Sequence, residues 1–117
     1  MNLSHAVLKV LSHHIGQKNR IGRDRLRSEV MGQLSRGERN ISDRVMRQTI
    51  EELRRTDDQG ALICSSSGGG GYWLAQDLDE LLLSYREERR RAINILVTIR
   101  ARLNRGRRVL SGQRKLL

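Results

Sequence analysis

No stretch of this 117-residue chain offers the roughly 18 consecutive apolar residues that a membrane-spanning helix needs. The opening Met1-Asn2-Leu3-Ser4-His5 also lacks the charged start and apolar core of a secretory signal. The expectation is a soluble, cytoplasmic protein. A single cysteine, Cys64, excludes an internal disulfide and gives no thiolate pair for a metal, in keeping with a reducing compartment. His5, His13 and His14 are the other soft ligands, and no pair has the i, i+4 spacing that places two of them on one helix face. No metal, cofactor or small-molecule effector is expected. No nucleophile has an evident base, and the neighbouring acids Glu51-Glu52 and Asp57-Asp58 point about 100° apart on a helix rather than forming a catalytic pair. An enzyme is therefore not expected.

Acid is missing from one end. Residues 1–88 hold 13 basic and 13 acidic side chains, whereas residues 89–117 hold ten basic ones and no acid, so the whole net charge of +10 lies in the last stretch. A strongly basic small protein usually meets a polyanion. The length fits one compact domain plus an appendage.

Helical spacing recurs three times before any strand. Ser4 is expected to cap a first helix whose face is Val7, Val10, Leu11, His14 and Ile15, with Gly16 as its stop. Ile21 suits a very short strand or a core anchor. Leu26, Val30, Met31 and Leu34 mark a second helix from about Arg23, followed by a loop, Ser35 to Asn40. Ile41 and Ser42 read as anchor and cap of a third helix ending near Asp57. Its buried side is Val45, Met46, Thr49, Ile50 and Leu53, and its outward side is Arg44, Arg47, Gln48, Glu51 and Arg55. Ala61-Leu62-Ile63-Cys64 and Tyr72-Trp73-Leu74 are β-prone runs joined by Ser65 to Gly71, hence a hairpin with Tyr72 and Trp73 on opposite faces. No Gly-Lys-Ser or Gly-Lys-Thr follows the glycines, so they are not a nucleotide-binding loop. Asp77-Leu78-Asp79-Glu80 resembles a capping box that starts a long helix to about Asn104, with a basic, fraying tail beyond Gly106.

Helix, helix, helix and hairpin in this order resemble a winged helix-turn-helix domain. The stretch Ile41-Ser42-Asp43-Arg44-Val45-Met46-Arg47-Gln48-Thr49-Ile50-Glu51-Glu52-Leu53 looks like the recognition helix of the biotin-repressor type. Leu62 to Ser67 with Gly70-Gly71-Tyr72-Trp73-Leu74-Ala75 is similar to that group's wing. Small phage and prophage DNA-binding proteins also look like this. Two departures are the long stretch Leu34–Asn40 and a wing tip without Lys or Arg. The expected fold class is mainly α with a small antiparallel β-hairpin wing: a winged domain at 1–76, a self-association helix at 77–104 and a basic flexible tail at 105–117.

The resemblance implies a sequence-specific double-stranded DNA-binding protein, a homodimeric transcriptional regulator of phage or mobile-element origin. Ser42, Arg44, Arg47 and Gln48 are the candidate major-groove residues, since Arg suits guanine and Gln adenine; the plain alternative is a solvated helix face. Arg54, Arg55, Ser65, Ser66, Ser67, Arg105, Arg107 and Arg108 are candidate phosphate contacts. Leu82, Tyr85, Arg89, Ala92, Leu96, Ile99 and Leu103 step by alternating threes and fours, as a helix-helix seam does, and are the candidate dimerisation residues. Arg89 there calls for an acidic partner such as Glu87 or Glu88 of a second chain. The same helix could instead fold back on its own domain or, as a basic amphipathic helix, lie on an acidic membrane. The rival function is a winged-helix protein-interaction module whose basic tail binds nucleic acid non-specifically.

Overall fold

The computed structural model describes residues 2–35, 37, 40–66 and 70–116, with side chains up to residue 112. Along the chain come α1 (Leu3–Leu11), α2 (Arg23–Gln33), α3 (Asp43–Thr56), β1 (Ile63–Ser65), β2 (Tyr72–Leu74) and α4 (Leu78–Leu116). The chain forms two compact units, Met1–Ser84 and Tyr85–Leu117. No helix among the described residues is long and apolar enough to cross a membrane.

In the first unit, each helix contributes one apolar face. Ala6, Val7, Val10 and Leu11 of α1, Leu26 and Val30 of α2, and Met46, Ile50 and Leu53 of α3 are buried together, with Leu34 and Ile41 closing the core at the ends of the α2–α3 connection. The hairpin adds Ile63 and Leu74. Its antiparallel register pairs Ile63 with Leu74, Cys64 with Trp73 and Ser65 with Tyr72. Strand alternation sends Trp73 to the other side, where it packs with Cys64, Ala75 and Leu81 of α4, while the half-buried Tyr72 leans on the main core.

The free edge of β2 is covered by the connection from α1 to α2. Ile21 and Tyr72 exchange two backbone hydrogen bonds of 2.9 Å. The carbonyl of His14 accepts from Leu74 N at 2.9 Å, and Gly16 N donates to the Leu74 carbonyl at 2.8 Å. An exposed strand edge would otherwise invite pairing with another chain. Ile21 thus does both jobs foreseen for it, with 1% of its surface exposed.

This edge pairing overturns the expected course of α1. The helix stops at Leu11, where the Ser12 hydroxyl bonds back to the Lys9 carbonyl, and Gly16 does not end it but turns the chain beyond it at φ +88°. His14 and Ile15 are therefore not on a helix face, and Ile15 is exposed. The cap is Asn2, not Ser4: its side-chain oxygen accepts from His5 N at 2.8 Å. In α3 the cap is Ser42, which accepts from Val45 N, and Asp57 closes the other end, both as read from the sequence. Val45 is exposed rather than in the core, because it sits about 100° from Met46 around the helix, off the arc formed by Met46, Ile50 and Leu53. Ala61 and Leu62 belong to a 3-10 turn, Gly60–Leu62, and the strand begins only at Ile63.

α4 starts where the sequence placed it, with Asp77 Oδ1 accepting from Glu80 N at 2.9 Å. It does not stop near Asn104; helical backbone continues through Gly106 and Gly112 to Leu116. Most of the residues around those glycines are Leu, Arg, Gln and Lys, good helix formers that offset part of the ~1 kcal/mol an interior glycine costs, with Asn104, Val109 and Ser111 among them.

Candidate nucleic-acid interface

α3 owes its placement to its anchored side. Met46, Ile50 and Leu53 are at most 5% exposed, so at about 100° per residue Arg44, Gln48, Glu51 and Arg55 are turned away from the core. All four are exposed, as is Arg47 on the flank. Ser42, spent on the helix cap, is exposed at the near end.

One carboxylate organises the start of this face. Asp43 lies 3.5 Å from Arg23 Nε at the head of α2 and 3.6 Å from Arg47 Nε one turn further along α3. Exposed pairs of this kind add little stability, but they fix where two guanidinium groups stand. Arg23 was not singled out in the sequence, because twenty residues separate it from Asp43 and only the folded α2–α3 pair brings them together. Arg55 pairs with Glu52 on the same helix.

Arg54 takes a different course from the phosphate contact expected of it. It lies at the margin of the buried arc, and its Nε donates to the Ile63 carbonyl at 3.0 Å while its Nη2 donates to Ser65 Oγ at 3.1 Å. Two of the candidate phosphate contacts are thus engaged with one another, tying α3 to β1. Truncating Arg54 to Ala should lower unfolding free energy by about 1–2 kcal/mol, since a half-buried carbonyl loses its charged donor; urea melts followed by circular dichroism check this, and an unchanged midpoint would contradict it.

Ser66 N closes the hairpin by donating to the Gly71 carbonyl at 3.3 Å. Ser65 and Ser66 line a cleft of about 380 Å³ together with Gly22, Arg23, Arg25 and Tyr72, so the hairpin and the first turn of α2 share one concavity. Ser67 lies outside the described residues.

The second unit is one stretch of helix. Arg105, Arg107 and Arg108, assigned to a flexible tail by the sequence, are helical and exposed. Tyr85, Leu96, Ile99 and Leu103 each expose more than half their surface, and Arg89 and Ala92 are exposed too. Leu82 belongs to the first unit and is half-buried.

Among the described residues no three His, Cys, Asp or Glu side chains gather as metal ligands would. His14 is partly buried, with Nδ1 2.8 Å from the Asn19 carbonyl, and Cys64 is fully buried. Neither takes part in the α3 face. Compared with protein-family models, curated proteins and solved structures, the chain matches none.

Proposed function

We propose that the chain is a winged helix-turn-helix protein that binds double-stranded DNA sequence-specifically as a homodimer and regulates transcription. α3 enters the major groove, the β1–β2 hairpin is the wing beside it, and the basic part of α4 adds phosphate contacts. The observation that carries this is the division of α3: its aliphatic side is locked into a three-helix core, while Arg44, Arg47 and Gln48 stand in solvent. Long donors on a helix held rigidly from behind can meet base edges in fixed register, and each well-formed bidentate pair discriminates by about 1–3 kcal/mol.

The experiment is selection of bound duplexes from a random pool, then mobility-shift titration of the enriched sequence. Arg44→Ala and Arg47→Ala should each weaken binding to that duplex by about 5- to 150-fold, the equivalent of 1–3 kcal/mol, with thermal melts unchanged because both side chains are exposed. Affinity should also fall with salt, log K against log salt having a slope of about −0.9 per phosphate contacted. Failure to enrich any sequence, together with salt-insensitive binding, would refute the proposal.

One observation favours a second reading. Residues 1–88 carry no net charge, which suits a module that docks a protein while the basic helix alone touches nucleic acid. On that reading Arg44→Ala and Arg47→Ala leave DNA binding intact, and deleting residues 105–117 abolishes it.

A further inference from the structure

We infer that the second unit pairs with a second copy of itself in antiparallel orientation, centred between Val97 and Thr98. The inference deepens the self-association proposed above and is independent of DNA binding.

Because α4 is helical beyond Asn104, the alternating spacing read from the sequence continues: Gly106 and then Leu110 follow Leu103 on the same line. From Tyr85 to Leu110 this line sets Arg89, Ala92 and Gly106 among the bulky Tyr85, Leu96, Ile99, Leu103 and Leu110. Two copies laid side by side in parallel would set each residue against its own duplicate. Arg89 would face Arg89, while Ala92 against Ala92 and Gly106 against Gly106 would leave gaps. All ten basic residues of one chain's 89–117 stretch would also lie beside the other's.

Reversing one copy parts the two Arg89 side chains and fills the gaps at Ala92 and Gly106. Leu103 then faces the partner's Ala92, a large side chain against a small one, while Leu110 meets the partner's Tyr85 and Ile99 the partner's Leu96 in apolar contact. Arg89 faces the partner's Gly106, where no side chain blocks the guanidinium from bending out to water. No other antiparallel register uses the line from its first residue to its last.

The exposed area is sufficient. Tyr85, Leu96, Ile99, Leu103 and Leu110 are each more than half exposed, and Ile93, Ile95 and Val109 flank them. At roughly 60–120 Å² apiece they supply on the order of 500–1,000 Å² per chain, around the ~800 Å² per partner of a standard stable interface.

Pulsed electron-electron distance measurements on the full chain test this, with nitroxides on Thr98→Cys or Ser111→Cys in a Cys64→Ala background and no DNA present. Both label sites are exposed, and circular dichroism checks that each variant folds. Antiparallel pairing places the two residue-98 labels almost level and the two residue-111 labels about 40 Å apart along the axis, at ~1.5 Å rise per residue. Equal short distances at both sites would mean parallel pairing, and absence of dipolar modulation would mean no pairing; either overturns the inference. Neither outcome bears on whether Arg44 and Arg47 read DNA, which the duplex selection decides separately.

Discussion

Gly71→Ala is expected to lower the stability of the first unit by about 2–4 kcal/mol. Two penalties combine there. Gly71 holds φ at +91°, a conformation that costs an L-residue roughly 1 kcal/mol or more. An added Cβ would also stand 2.1 Å from the Ile21 carbonyl oxygen, far inside contact distance, and that oxygen is backbone, already accepting from Tyr72 N. Relief requires the hairpin to move off the α1–α2 connection, breaking the paired Ile21–Tyr72 bonds; overpacking of this kind costs ~1–3 kcal/mol. Against a total of about 5–15 kcal/mol for a natural domain this is a large fraction, and the unfolding midpoint should fall markedly. Urea denaturation monitored by circular dichroism would measure the loss, and a midpoint equal to that of the parent protein would show that the hairpin can shift freely.

Ile50→Ala is expected to cost about 2–5 kcal/mol, the range for deleting a buried aliphatic group with incomplete collapse around the cavity. Ile50 is 2% exposed and lies midway along the anchored side of α3. Gln48→Ala, two residues away on the solvent side, should change stability by no more than about 0.5 kcal/mol. The contrast tests the orientation of α3 without any ligand. Equal effects at the two positions would mean that the helix is rotated from the placement described, and Arg44 and Arg47 would lose their claim to face DNA.

The parts of the fold that were legible in the sequence are those set by neighbours along the chain. Ser42 followed by an apolar rhythm fixed α3, and Asp77 fixed the start of α4, because a side-chain oxygen three residues ahead of an amide is a local device. What escaped was imposed from a distance. Nothing near His14 signals that its carbonyl will be claimed by Leu74, sixty residues later, and that claim is what takes residues 14–16 out of α1. Arg54 stands among the candidate phosphate contacts of the sequence, but its inward turn follows from β1 passing alongside, which spacing along α3 does not reveal. Arg44, Arg47 and Gln48 were placed correctly in solvent because the 3.6-residue period alone decides it.

The lone tryptophan supplies an optical handle that needs no label. Trp73 is 4% exposed and wedged among Cys64, Ala75 and Leu81, so its indole should emit at shorter wavelength in the native protein and shift to the red as water reaches it. Since no second indole occurs in the chain, fluorescence reports the hairpin's junction with the first turns of α4 and is blind to events further along that helix. Dilution that separates two copies should leave the spectrum unmoved, whereas Gly71→Ala should displace it, allowing association and unfolding to be told apart in one cuvette.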